Sequence, residues 1–278
     1  MLKRLTLLFA AICLVAVSHA QNENDPKFEI HYGEPAAIEN EQFKLEISEP
    51  HSQMEFVSIK VTITNYTDDW MFFDPEKVTF IKGGTEQFKG KGNAWKIGPK
   101  QTKSRGVKAA GEANYHSDSY TVEFNDPIEL LPTSAGKTKA ESFDLPPAKN
   151  SFAAGEFDVK LIECKQKTKE TLIIFEVTYT GNQMGLVDGS ALTMHPKDQP
   201  DKVYATENTR ADQDVLKPGK KTKVKGIFHI PAAVTDMQKS DLVIDWNDTF
   251  IETSFQTIKL SESFDLKRDD EKTKAKNS

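Results

Sequence analysis

The side chains best suited to chemistry are thinly spread along this chain. Past the first twenty residues the histidines are His31, His51, His116, His195 and His229, each standing singly. No His-x-x-x-His pair, Gly-rich phosphate loop or Gly-x-Ser-x-Gly elbow occurs, so the short motifs of zinc hydrolysis, nucleotide binding and serine esterolysis are missing. Met194-His195 is the one adjacent pair of candidate metal ligands, and copper or zinc wants such groups clustered. His229 lies between Phe228 and Ile230, so strand alternation places it on the solvent face. Asp68-Asp69, Asn125-Asp126, Asp212 with Asp214, and Asn247-Asp248 offer the oxygen donors that calcium takes. Asp and Asn are also the ordinary residues of turns, and turns are the expectation here. Charged residues make up 28% of the chain, which produces carboxylate pairs by chance everywhere. The residues imply a chain that is not an enzyme, with no catalytic residue, no cofactor and no metal.

Aromatic residues carry more. Trp70-Met71-Phe72-Phe73 is an apolar run directly after a polar turn, and Trp95 sits in a Gly- and Lys-rich stretch. Sandwich loops usually end polar, so these five residues are the candidate partner contacts, since exposed aromatic patches mark interaction sites. The competing expectation is that Trp70 to Phe73 tuck into the core or the domain junction. Trp95 is expected to face solvent.

Strands must position these groups. Tyr120-Thr-Val-Glu-Phe-Asn-Asp126 and Leu242-Val-Ile-Asp-Trp-Asn-Asp248 each place large apolar residues on alternate positions and then stop on Asn-Asp. Period two is the mark of a half-buried strand. Phe124 and Trp246 fall at matching inward positions. Further on, Glu141 to Leu145 and Glu262 to Leu266 are the same five residues, Glu-Ser-Phe-Asp-Leu. Other runs match at nearly the same offset: Phe43–Ile47 with Phe157–Leu161, Val57–Ile63 with Ile173–Tyr179, and Asp74–Phe80 with Asp188–Met194. Two copies of one β domain follow from this. Residues 82–118 pattern weakly and are expected to form a long connection with one edge strand around Val107.

The N-terminus carries a basic pair, Lys3-Arg4, an apolar stretch from Leu5 to Val17, and Ser18-His-Ala20 before Gln21. That is a secretory signal peptide, too short for the ~20 apolar residues a membrane span needs. Acylation at Cys13 would make a lipoprotein, but the apolar stretch runs on past it. Removal of residues 1–20 takes away two positive charges from a chain already at −6 and leaves Cys164 as its single cysteine. No intrachain disulfide can then form, and Cys164, beside Leu161 and Ile162, reads as a small buried hydrophobe. The acidic balance argues against nucleic acid, whose phosphates need concentrated Lys and Arg. The expected plan is a signal peptide at 1–20, a disordered leader at 21–27, domain 1 at 28–146, a Pro-containing linker at 147–155, domain 2 at 156–266 and a charged disordered tail at 267–278.

Asp188-Gly189, Leu216-Lys-Pro-Gly219 and Lys225-Gly-Ile-Phe-His-Ile-Pro231 in the second repeat resemble the immunoglobulin-like β-sandwich domains of unknown function found in exported bacterial proteins. The first repeat departs from that pattern, with Gly98-Pro99 in reverse order and no Phe-x-Ile-Pro, and joins the group only through the duplication. The resemblance implies an all-β fold of two tandem immunoglobulin-like antiparallel β-sandwich domains. It also implies a non-catalytic binding or spacer module of the cell envelope, periplasmic or extracellular, whose partner is another envelope protein or a glycan. The alternative is a periplasmic protein that binds a small molecule or ion at the domain junction. No membrane span is expected once the signal peptide is removed.

Overall fold

A computed structural model describes residues 23, 25–134, 136–207 and 213–278. The expected signal peptide and residues 21, 22 and 24 of the expected leader lie outside these residues, as does Asp212. The described chain is all-β with antiparallel sheets and one short α-helix, compatible with β-sandwich domains.

The chain first lays down β1 (Ile30–His31), β2 (Ile38–Glu39), β3 (Phe43–Gln53), β4 (Phe56–Asn65), β5 (Trp70–Phe73), β6 (Val78–Lys82) and β7 (Glu86–Lys89). β8 (Trp95–Ile97), β9 (Thr102–Ala110), β10 (Ser119–Asn125) and β11 (Ile128–Leu131) follow. A second series then runs β12 (Lys137–Thr138), β13 (Phe143–Leu145), β14 (Ser151–Ala154), β15 (Phe157–Gln166), β16 (Glu170–Tyr179) and β17 (Met184–Val187). It continues through β18 (Thr193–Pro196), β19 (Tyr204–Ala205), β20 (Asp214–Leu216), β21 (Lys221–His229), β22 (Leu242–Asp245) and β23 (Phe250–Thr253). β24 (Gln256–Ile258), β25 (Ser261–Lys267) and α1 (Asp270–Lys276) end the chain.

Alternation explains the strands. In β4 the side chains of Val57, Ile59, Val61 and Ile63 are buried while Ser58, Lys60, Thr62 and Thr64 face outward. β16 does the same with Ile173, Phe175, Val177 and Tyr179. Each such apolar side chain contributes about 1.5–3 kcal/mol relative to exposure, so a slip by one residue would forfeit the whole row. Residues 82–118 supply three strands, not one. β9, around Val107, is indeed a sheet edge.

The chain divides into two compact units, but not sequentially. The first unit runs to Leu130 and resumes at Thr257; the second is Leu131–Gln256. The first holds sheets ordered β1-β3-β4-β9, with β2 also on β3, then β25-β10-β6-β7 and β24-β11-β5-β8. Sheets in the second are ordered β14-β15-β16-β21, β13-β22-β18-β19 and β12-β23-β17-β20. Each unit has one apolar core. Residues 131–146, expected to finish domain 1, therefore begin the second unit. Residues 257–266, expected to finish domain 2, complete the first.

Two further expectations change. Residues 147–155 are not a linker: Ser151–Ala154 forms β14, paired with β15 through Phe152↔Val159 and Ala154↔Phe157. The expected disordered tail at 267–278 is folded. Asp269 caps α1 by accepting from the Lys272 amide at 3.0 Å, with Asp270 and Glu271 in the first turn and Lys274 and Lys276 in the last. That charge order suits the helix dipole. Thr273 is buried and its Oγ1 accepts from the His31 amide at 3.0 Å, while the Asn277 amide group brackets Glu29 at 2.9 and 2.8 Å. A charged composition hid this because a seven-residue helix needs tertiary contacts, not its own propensity, to form.

Candidate functional site

Trp70, Met71, Phe72, Phe73 and Trp95 are brought together, although not as an exposed anchor. Asn65 ends β4 fully buried, and its Nδ2 donates to the carbonyls of Asp69 and Gly98 at 2.8 and 3.0 Å. Its Oδ1 accepts from the Thr67 amide and hydroxyl. This closes the turn and lays β5 beside β8, with Phe72↔Lys96 and Phe73↔Trp95 in register. Met71 and Phe73 are fully buried, Trp95 is 4% exposed and Trp70 7%. The Phe73 and Trp95 rings lie 4.8 Å apart, and Lys96 Nζ sits 4.4 Å over the Trp70 ring. Phe72 is half-buried. Core packing thus replaces partner contact for Met71, Phe73 and Trp95, and the solvent-facing expectation for Trp95 is overturned. The cause is β8, a three-residue strand with too little pattern to read.

Pairing of β1 with β3 puts His31 directly opposite His51, a juxtaposition the sequence did not suggest. Their rings stack at 5.7 Å, and Phe56 meets His51 edge-on at 5.6 Å. His31 Nε2 donates to Glu29 Oε2 at 3.1 Å, and Gln53 Nε2 donates to Glu29 Oε1 at 3.0 Å. Burial pushes the Glu29 carboxyl up, but the bonds from His31 and Gln53 outweigh it and hold the group below its ordinary value. The other histidines serve separately. His116 Nε2 bonds the Phe28 carbonyl, His195 Nε2 lies 3.4 Å from Asp245 Oδ2, and His229 is exposed between Glu170 and Glu207. Among the described residues no group of three or more His, Cys, Asp or Glu is placed to hold a metal ion.

The Asn-Asp pairs are turns with a left-handed residue each, Asp126 at φ 50° and Asn247 at φ 40°. Asp126 accepts from Lys259 Nζ and the Leu260 amide, both at 2.8 Å, which ties the returning chain to the end of β10. Those two bonds hold its carboxyl below the usual range. Asn247 Nδ2 donates to the Ala191 carbonyl at 2.8 Å, and Asp248 pairs with Lys137 at 2.6 Å. Asp74 and Asp188, matched in the sequence, each cap a 3-10 turn by accepting from the amide two residues on, at 3.0 and 2.9 Å. Cys164 is half-buried, and burial pushes its thiol up, away from reactivity.

The strongest site-like feature is the pair of edges that receive Glu-Ser-Phe-Asp-Leu. In the first unit β10 sits between β6 and β25, with Val122 opposite Phe80 and Phe264, and Tyr120 opposite Leu266. In the second β22 sits between β18 and β13, with Ile244 opposite Met194 and Phe143, and Leu242 opposite Leu145. Both copies of the pentapeptide therefore occupy one register, and the copy at 262–266 lies on the unit begun by the first half of the chain.

No family model matches this chain, and no curated protein matches it. Among solved structures, the secreted serine protease VesC from Vibrio cholerae is 9% identical, with 78% of this chain and 51% of that chain covered at a TM-score of 0.20. The YadV chaperone is 9% identical over 72% of this chain and 92% of that one, at 0.19. Red sea bream transglutaminase is 12% identical over 77% and 31%, at 0.20. This chain spans about half the length of VesC. Likenesses at such scores carry no argument about fold or activity.

Proposed function

We propose that the chain is an exported, non-catalytic binding or spacer module of the cell envelope, built from two duplicated immunoglobulin-like β-sandwich domains. One observation carries this reading. The identical pentapeptides stand in the same register on corresponding strands, Phe143 against Ile244 and Phe264 against Val122. Strand order supports the duplication further, since each sheet of one unit has a counterpart in the other. Reciprocal closure ties both halves of the chain together, which suits a part that must hold its shape between other molecules. Lys3-Arg4, the apolar stretch to Val17 and Ser18-His-Ala20 supply the export signal. Another envelope protein or a glycan is the partner class.

Fractionation of cells expressing the full chain tests export, with the mature protein expected in the envelope or medium and starting at Gln21. Crosslinking in that fraction, followed by reconstitution of the captured pair from pure components, tests binding. Reproducible hydrolytic or transfer activity of the pure protein would overturn the reading.

A further inference from the structure

We propose that residues 137–145 and 258–266 are interchangeable closing segments, and that the two-residue connection Ser254–Phe255 selects the exchanged pairing. The two acceptor edges are alike. β25 closes β10 through Phe264 and Leu266, β13 closes β22 through Phe143 and Leu145, and the pentapeptides are identical. β24 and β12 likewise lie on corresponding strands, β11 and β23. Leu260, buried in the first unit's core, stands where the other segment has Lys139, but within the identical pentapeptides nothing distinguishes one edge from the other.

The hinges do. Suppose β24 folded back onto β23 in the register that β12 uses, Lys137↔Ile251 and Thr138↔Phe250. Counting back from the shared pentapeptide, Ile258 takes the place of Lys137. Thr253 then faces Gln256, and Ser254 with Phe255 becomes a two-residue hairpin loop. Loops of that length match the strand twist only as type I′ or II′ turns, which need positive φ at the first central residue and favour Asn, Asp or Gly. Ser-Phe meets neither need, because a Cβ at positive φ is strained. The chain therefore runs straight on and closes the first unit instead. The other connection, residues 132–136, has room to turn and ends on Gly136 at φ 75°. It would allow sequential closure, but with the first acceptor edge filled, β12 and β13 have only the second. A short, strained hinge is the usual cause of strand exchange.

Crosslinking reads the pairing directly. Thr121 stands opposite Asp265, with Oγ1 donating to Oδ1 at 2.8 Å, and Asp144 is the residue that corresponds to Asp265 in the other pentapeptide. With Cys13 and Cys164 replaced by alanine, T121C/D265C is expected to form a disulfide within one molecule, and T121C/D144C none. Adding S254N/F255G supplies the missing turn. It should cause loss of the 121–265 link and gain of a 121–144 link, again within one molecule. Retention of only the 121–265 link in the folded Asn-Gly chain overturns the proposal. A 121–144 link between two molecules, seen as a dimer on a non-reducing gel, also overturns it, because a second copy would then be the donor. Should the Asn-Gly chain fail to fold, inserting Gly-Gly between Ser254 and Phe255 poses the same question by length, with the same expected and overturning results.

Discussion

Phe264 is the cross-strand partner of Val122, so residues near the C-terminal end close a sheet begun in the first half of the chain. Phe264 also meets Phe124 edge-on at 5.7 Å. A sequence that reads as two domains in succession therefore folds as one unit inserted into the other. The inserted unit leaves through β11 and returns through β24, which are neighbours in one sheet.

Fragments should report this division. A chain of residues 131–256 is expected to unfold cooperatively by itself, because it contains every strand of its three sheets. Residues 28–130 should not, since that fragment lacks every closing strand and leaves Tyr120, Val122 and Phe124 without a neighbour on one side. Residues 28–146, by contrast, carry β12 and β13 and are expected to unfold cooperatively. Thermal melts by circular dichroism check all three. A cooperative transition for 28–146 matching that of the full chain would show that its own β12 and β13 can substitute.

Trp246 sits just beyond β22, 1% exposed, among Phe152, Phe175 and Phe250 at centroid distances of 5.1, 4.8 and 5.3 Å. Trp246→Ala should destabilise by about 3–5 kcal/mol, as for other buried aromatic truncations. Its Nε1 has no hydrogen-bond partner among the described residues. Trp246→Phe should therefore cost clearly less, since it keeps most of the ring and removes an unpaired donor. Urea denaturation of the three proteins gives the ranking.

Gly136 precedes β12 at φ 75°, and its carbonyl accepts from the Glu252 amide at 2.9 Å. A Cβ there would run into the Glu252 carbonyl oxygen. Gly136→Ala should lower stability by roughly 1–3 kcal/mol, the cost of holding a side chain in the left-handed region plus the displaced strand. Gly219→Ala, also at positive φ but with open space around it, isolates the backbone part of that cost.

Acid should loosen the contact between β1 and β3 that the Glu29 side chain makes through His31 and Gln53. Glu29 is held below its ordinary value near 4.5 by His31 and Gln53, against the opposing push of burial. A carboxyl depressed in the folded state contributes stability that is fully present above its unfolded value and lost as pH falls through the folded one. Glu29→Gln should therefore be less stable than the parent at neutral pH, and the gap should close below the ordinary carboxylate value. Equal gaps at neutral and acid pH would mean that Glu29 acts through shape alone.

Much of this fold was legible in the residues. Alternation located β4, β10, β16 and β22, the paired Asp74 and Asp188 marked equivalent turns, and the shared pentapeptide revealed matching strands. Each of these signals is local, carried by neighbours along the chain. The expected exposure of Trp95 failed for the same reason. Trp95 looks exposed by its Gly- and Lys-rich surroundings, and only the register of β5 with β8 turns it inward.

Composition and periodicity thus determined that the chain is all-β, where most of its long strands lie, and which strands correspond. Tertiary structure alone decided which edge each closing strand joins, that His31 and His51 stack, and that residues 270–276 form a docked helix. The physical reason is that a strand's pattern specifies the kind of edge it fits and its register on that edge. When two edges are alike, the choice passes to the hinge that carries the strand and to contacts far apart in sequence.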